Sequence, residues 1–324
     1  MTTFHRSARA AALMSAAFAI AVTGCSSGSG DPGVTHVTLI QGVKGNPFYT
    51  AMACGAQEAA AQLGVRLDVT APDQFDASLQ TPVVNAVTAK RPDGVLIAPT
   101  DAVAMRPPIK NLISSGAKVV EVDTALEDTT VSTAHLTTDN QAAGKAAAAK
   151  FNEILGGKGK ILALSSAPGI STNDERVAEL KKALTNYPGL EFTGVQYTKE
   201  DATIAASVVS AALTAEPGIT GIFSVNSPST QGAATSLRNA GVANRVKLIG
   251  FDAGPQQIEQ LKQGSVAALV AQSPYQIGRD GVQYVVDAVA GKEVPKSSLT
   301  PVMVIDVKNL ESPEAQNFVY KTDC

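Results

Sequence analysis

The 324-residue chain has no tryptophan, three histidines and three cysteines. Metal and acid–base chemistry draw on imidazole and thiolate, so this shortage leaves them little material. His5, His36 and His135 stand beside no nucleophile and at no metal-ligand spacing. The glycine-rich stretch Gly156-Gly157-Lys158-Gly159 reads as a turn between helix and strand. It fits neither the phosphate-loop nor the dinucleotide pattern, and no EF-hand-like loop is visible. An enzyme is therefore not expected, and no cofactor or metal. Blocks of like charge are also missing. With 26 Lys and Arg against 29 Asp and Glu, the formal charge is −3, which argues against a nucleic-acid partner. After residue 24 no apolar run approaches the roughly 18 residues of a membrane span.

What is present divides into a short leader and a long body. The leader has the cations His5, Arg6 and Arg9, then an apolar run over 10–22, then Val22-Thr23-Gly24-Cys25 and the polar Ser26-Ser27-Gly28-Ser29-Gly30. This order resembles a bacterial lipoprotein signal. The apolar run is shorter than the roughly 20 residues a spanning helix needs. The expectation is a signal peptide over 1–24, a lipidated Cys25 and a flexible linker over 25–33. The thioether-linked lipid would hold the protein on the extracytoplasmic face of the bacterial cell membrane, with contact through the anchor only. An ordinary cleaved secretory peptide with an incidental cysteine is the alternative. The body, with the whole chain at 44% hydrophobic and 17% charged residues, has the composition of a soluble globular protein of about two domains.

With Cys25 assigned to lipid, Cys54 and Cys324 remain. Outside the cytoplasm two thiols tend to oxidise. A bridge between them would tie down the end of the chain. The competing reading is a buried Cys54 and a free terminal thiol.

Strand and helix patterns alternate through the body. Strands are predicted over 37–41, 65–69, 94–98 and 118–122, with helices over 48–63, 79–89 and 104–115 between them. The pattern restarts after Ala134-His135-Leu136. Helices follow over 140–155, 173–184, 202–213 and 229–240, with strands over 160–164, 191–196, 221–225, 247–250 and 268–271. Such alternation implies α/β architecture with parallel sheets, right-handed crossovers and helices on both faces. Two runs of this kind predict two doubly wound lobes.

In open parallel sheets ligands sit beyond the carboxyl ends of the strands. Those positions hold Asn46, Phe48 and Tyr49 after the first strand and Asp123 after the fourth. Later strands are followed by Asn226, Asp252 and Gln272. Acids, amides and rings suit a sugar or polyol, whose hydroxyls donate to carboxylates while its C–H faces rest on aromatic rings. Each of these residues also has a plainer reading as a helix cap, a turn residue or a packing ring.

Asn46-Pro47-Phe48-Tyr49, Pro99-Thr100-Asp101, Thr138-Asp139-Asn140, Ile249-Gly250-Phe251-Asp252 and Ala271-Gln272-Ser273-Pro274 stand in order along the chain. Together they resemble the ribose and galactose type of periplasmic sugar-binding proteins, the receptor components of ABC transporters, over about residues 35–307. The resemblance implies a type I periplasmic binding fold: two lobes, a three-segment hinge and a small carbohydrate clamped between. Crossings are expected near 135–138, near Gln272 and near 299–302. The lobes would comprise 34–136 plus 273–300, and 137–272 plus 301–324. Asn46, Phe48, Tyr49 and Asp123 would contact ligand from the first lobe, Asn226 and Asp252 from the second, with Gln272 at the hinge.

Departures from that family pattern bear on the ligand. Thr124 stands where ribose binders place an arginine, Asp174 falls near another pocket arginine, and Glu200 aligns roughly with a third ring. Arg176 matches a recurring arginine and would contact ligand or pair with Asp174, so both join the candidate set. Such a pocket is expected to repel anions and to take a small neutral sugar or polyol, a pentose or acyclic polyol by preference. The implied partner is an ABC permease, and a monomer is expected. A receptor feeding a chemotaxis or sensor-kinase partner is the alternative. A repressor of the lactose type, which shares this core, would need a DNA-binding helix-turn-helix where the leader stands.

Overall fold

The computed structural model describes residues 1–3 and 33–324. The expected signal peptide, the lipidated Cys25 and nearly all of the linker lie outside the described residues. The chain divides into two units, Met1–Gly33 and Val34–Cys324. The second holds all the secondary structure among the described residues.

Its first run consists of β1 (His36–Ile40), α1 (Pro47–Leu63), β2 (Arg66–Thr70), α2 (Ala77–Lys90), β3 (Gly94–Ile97), α3 (Arg106–Ser114), β4 (Lys118–Val122) and β5 (Ala134–Thr138). The second consists of α4 (Asn140–Ile154), β6 (Gly159–Ser165), α5 (Ser171–Leu184), β7 (Leu190–Tyr197), α6 (Ala202–Ala215), β8 (Ile219–Ser224), α7 (Ser227–Asn239), β9 (Lys247–Phe251), α8 (Pro255–Lys262) and β10 (Ala268–Ala271). The chain closes with α9 (Pro274–Val289), β11 (Ser297–Thr300), β12 (Met303–Ile305) and α10 (Pro313–Gln316).

Two six-stranded sheets form, ordered β2-β1-β3-β4-β5-β11 and β7-β6-β8-β9-β10-β12. Every pairing in the first is parallel. In the second only β12 runs antiparallel, with Leu269 opposite Ile305. Parallel strands covered by helices on both faces must be apolar throughout, and Gly-Val-Leu-Ile of β3 is buried at every position. The edge strands β2 and β7 are partly exposed. The chain crosses between sheets after β5, after β10 and after β11. This is the expected architecture of two doubly wound lobes joined by three segments, with β12 as an antiparallel edge.

The helix ends that face the site are fixed from the sequence. Asn46 accepts the Phe48 amide at 2.9 Å and Asn226 accepts the Ser229 amide at 3.0 Å, capping α1 and α7. Helix α9 lies close against α1. A Cβ on Gly55 would strike the Tyr275 carbonyl, and one on Gly278 the Met52 carbonyl. This contact seats the N-terminus of α1 at the carboxyl edge of the first sheet.

Cys54, buried on α1, is bridged to Cys324, with Cα atoms 5.5 Å apart. The tail leading to Cys324 docks on the second lobe. The Asp306 carboxylate pairs with Lys150 of α4 at 2.8 Å, and the Tyr320 amide donates to the Ala253 carbonyl at 3.1 Å. The bridge therefore ties a helix of the first lobe to a tail seated on the second.

Candidate functional site

Between the carboxyl edges of the two sheets lies a cavity of about 40 Å³, opening to a cleft of about 900 Å³ with which it shares Asn46, Phe75, Ile170 and Glu200. The lobes stand close together. The Ala125 amide donates to the Ser171 hydroxyl at 3.0 Å, and the Ala102 amide to the Gly169 carbonyl at 3.3 Å. The inner space suits a few water molecules, so a sugar enters only if the lobes part.

Of the nine candidate residues, Asn46, Phe48, Tyr49, Asp123, Arg176, Asn226, Asp252 and Gln272 line the inner cavity. Asp174 does not. It is exposed, and its carboxylate accepts the Gly169 amide at 2.9 Å. Successive residues of a helix are about 100° apart, so when Asn173 and Arg176 of α5 face inward, Asp174 between them faces solvent. The expected Arg176–Asp174 pair is therefore not formed. The Arg176 guanidinium donates to Asn140 Oδ1 at 2.8 Å, to the Val225 carbonyl at 2.8 Å and to Gln272 Oε1 at 3.4 Å, and lies 3.7 Å over the Phe251 ring. Every one of these contacts holds a buried cation in place.

The carboxylates are held in unusual backbone. Asp123 has φ 65°, Asp252 φ 75° and Glu200 φ 57°. Left-handed conformations are unfavourable for residues with a Cβ and concentrate where function requires them. At each of these points the chain turns sharply off a strand and brings a carboxylate to the cavity. Asp123 accepts the Tyr49 hydroxyl at 2.8 Å. Asp252 is gripped more fully, by Gln272 Nε2 and the Tyr320 hydroxyl on Oδ1 and by the Ser227 hydroxyl on Oδ2, each at 2.6 Å. Thr138 donates to Gln272 Oε1, so Gln272 links a hinge segment, Arg176 and Asp252.

Electrostatics follow from burial. Desolvation raises Asp123 to about 6 although the Arg176 charge and the Tyr49 hydroxyl pull it down. Desolvation, with Asp252 and Asp123 adding to it, raises Glu200 to about 7 against the opposing Ser166 hydrogen bond. Burial, then the Asp123 carboxylate, pushes the Tyr49 hydroxyl well above its ordinary range, so it remains a donor. Arg176 is lowered by burial and supported by Asp123 and Asp252. Asn46 and Asn226 spend their amide oxygens on helix caps, and the Asn46 NH₂ stays available to a ligand. The capping and ligand-facing roles coexist in one side chain. Among the described residues no group of three or more His, Cys, Asp or Glu is placed to hold a metal ion.

Phe75, Thr124, Ile170, Thr172, Asn173 and Glu200 line the inner cavity without having been read as site residues, and Tyr320 supports it. Phe75 lines the cavity and the cleft; it follows β2, so the strand-end rule applied there would have found it. Glu200, placed by alignment as a lost ring, is a buried-edge carboxylate in its own right. Tyr320 packs its ring 6.2 Å from that of Phe48 and donates to Asp252. Its signal was the expected bridge. Cys54 lies less than two helical turns from Tyr49, and Tyr320 is four residues from Cys324.

Two doubly wound lobes enclosing a polar cavity at their facing strand ends define a bilobal binding protein. The model of the periplasmic binding protein domain matches residues 37–293, and the chain belongs to that family. The ribose import binding protein of Bacillus subtilis is 27% identical over 281 residues, spanning 85% of this chain and 88% of its own length. The D-allose-binding periplasmic protein of Escherichia coli is 26% identical, spanning 81% and 87%. Among solved structures, an ABC transporter solute-binding protein of Agrobacterium vitis bound with α-D-tagatopyranose superposes with a TM-score of 0.86. It is 31% identical and covers 89% of this chain and 99% of its own.

Proposed function

We propose that the protein is the extracytoplasmic solute receptor of an ABC importer, clamping a small neutral carbohydrate between lobes of residues 34–136 plus 273–300 and 137–272 plus 301–324. The observation that carries this reading is the meeting of Asp123, from the first sheet, with Asp252, from the second, in one cavity flanked by rings and amides. Such a set accepts hydroxyl protons from both sides of a polyol, and hydrogen bonds to charged acceptors contribute roughly 1.5–3 kcal/mol each. A sugar acid or phosphate would meet Asp123, Asp252 and Glu200 with one internally committed guanidinium to compensate, so neutral pentoses and acyclic polyols are favoured. The named ligands of the relatives, ribose, allose and tagatose, are neutral sugars as well. The protein acts by population shift rather than chemistry. Ligand contacts one lobe, then both, and the closed form is the one the permease engages. A lipid on Cys25 holds the monomer at the membrane surface.

Titration calorimetry against D-ribose, D-arabinose, D-allose, D-tagatose, ribitol, xylitol and the corresponding sugar acids tests this. Neutral members are expected to bind. Asp252→Ala and Asn46→Ala are each expected to weaken binding by about 100-fold or more, with the far-UV spectrum unchanged. Binding of the acids alone, or unchanged affinity in both variants, would overturn the proposal.

A further inference from the structure

The loop leaving β7 sets two consecutive residues, Lys199 at φ 56° and Glu200 at φ 57°, in left-handed backbone. Residues with a Cβ resist this conformation, and it persists only where the surroundings hold it. Here the turn leaves Lys199 exposed at the cleft mouth and brings the Glu200 carboxylate to the junction of cleft and inner cavity. Oε1 is immobilised. It accepts from the Ser166 hydroxyl and, at 3.1 Å, from Asn226 Nδ2. The Ser166 oxygen is fixed in turn by Asn173 Nδ2 at 3.0 Å and Asn226 Nδ2 at 2.7 Å. Side chains from the exits of β6 and β8 and from α5 therefore fix one oxygen of a third carboxylate. Among the described residues no donor reaches its other oxygen, Oε2.

No cation of the site pairs with Glu200, and the Arg176 charge offsets its burial and the two aspartates only in part. Arg176 directs three of its five N–H donors to Asn140, Val225 and Gln272. Asp123 and Asp252 face Glu200 from the strand ends of the two sheets. Lys44, Lys199, Asp73, Asp76 and Asp201 stand in the outer cleft. A half-buried carboxylate with one oxygen fixed and the other unpaired gains most from an O–H donor brought by the ligand. A C–H in that place leaves it desolvated and unpaired, and an anionic oxygen repels it.

We propose that Glu200 is a specificity-determining residue of this site: its Oε2 receives a ligand hydroxyl, so the site selects a sugar or polyol hydroxylated at that position over the deoxy or carboxylated analogue. The inference rests on the proposed carbohydrate-binding function. A site built to hydrogen-bond a hydroxyl rejects the analogue lacking it far more strongly than an apolar pocket rejects a missing methylene. The role also sets a pH dependence. Burial and the neighbouring aspartates raise Glu200 to about 7, so below that pH the protonated form prevails and the acceptor is lost. Affinity therefore falls as pH drops through about 7, and Asp123, raised to about 6, adds its own loss lower down.

The test compares wild type with Glu200→Gln, which keeps size and removes charge. The tightest-binding member of the neutral panel and its single-deoxy congeners are titrated calorimetrically between about pH 5.5 and 8.5. In wild type one congener is expected to bind about 100-fold more weakly than its parent, and parent affinity to fall about 10-fold between about pH 8 and 6. In Glu200→Gln the parent is expected to bind about 10-fold more weakly, the congener penalty to shrink to a few-fold and the change near pH 7 to flatten. If the variant keeps both the discrimination and the profile, Glu200 only props Ser166 and Asn226, and the inference fails. Should the variant not fold, a flat wild-type profile between about pH 6 and 8, or equal binding of every congener, overturns it alone. If no panel member binds wild type, the carbohydrate reading itself fails and carries the inference with it.

Discussion

Glu121 on β4 and Asp123 just past its end lie two apart, an interval that in a continuing regular strand would place both side chains on one face. The left-handed backbone of Asp123 breaks that alternation and frees its carboxylate for the cavity. Glu121 remains in the strand, fully buried with Val119 on a face whose core includes Ile109, Leu112 and Leu126. Its Oε2 accepts the Leu126 amide at 3.0 Å, whereas Oε1 has no partner among the described residues. Desolvation raises it from an ordinary 4.5 to about 7. A carboxyl raised on folding contributes stability that is complete below its unfolded value and is lost as pH climbs through its folded one. Glu121→Gln, which mimics the protonated form, is thus expected to stabilise the protein by on the order of 1–3 kcal/mol near pH 8 and to change little near pH 4. Urea denaturation at the two pH values measures the difference; an equal effect at both would refute it. The strand-end rule identified seven of the cavity residues because a parallel sheet delivers all its carboxyl ends to one edge, and the family resemblance added Arg176. The rule said nothing about which way each side chain turns. The exposure of Asp174 follows from its place on the α5 helix, whereas the inward turn of Glu200 depends on a left-handed backbone that residue type alone does not reveal.

Helices α1 and α9 show the same division between what sequence pattern reveals and what only packing decides. The small residues of α1 marked it as a close-packing helix, and its span agrees with expectation to within a residue. Its partner α9, like α8, β11, β12 and α10, was not anticipated. β11 and β12 have four and three residues, too few for a period to register. Helix α9 mixes polar and apolar residues around three glycines or prolines whose meaning is the neighbour they approach. Gly278 is the clearest case. In an exposed helix Gly→Ala gains about 1 kcal/mol from propensity. At Gly278 the new methyl would meet the Met52 carbonyl and the Ala56 amide nitrogen, both backbone, so nothing flexible can yield. Overpacking of this kind costs about 1–3 kcal/mol, so the net sign reverses. Gly278→Ala is expected to lower the thermal midpoint by several degrees. It should also weaken sugar binding, because α1 carries Asn46, Phe48 and Tyr49. An unchanged or raised midpoint would show that the helices separate without penalty.

At the scale of the whole molecule, three crossings let the lobes move while the Cys54–Cys324 bridge limits them. The bridge spans 270 residues and joins α1 of the first lobe to a tail docked on the second. Chain-entropy models assign such a loop about 5 kcal/mol, the upper end of measured disulfide effects. The expectation of a bridge followed from compartment and cysteine count. That it would link the two lobes followed from the expected lobe bounds, whereas the contact by which the tail docks, Tyr320 reaching Asp252, did not. Removing the bridge therefore does two separable things. Cys54→Ser with Cys324→Ser is expected to lower stability by up to about 5 kcal/mol and to free Tyr320, costing about 10-fold in sugar affinity. Tyr320→Phe keeps the bridge and the ring but loses the donor to Asp252. It is expected to reproduce much of the affinity loss with little change in melting temperature, since the phenyl ring keeps its buried place beside Phe48. Denaturant unfolding and calorimetry on both variants, with the wild type under reductant, distinguish the contributions. If the double serine variant loses stability while its affinity matches wild type, the tail plays no part in holding Asp252. If Tyr320→Phe alone is silent, the affinity loss in the double variant comes from wider opening of the lobes, which small-angle scattering of the sugar-free protein would show as a larger radius of gyration.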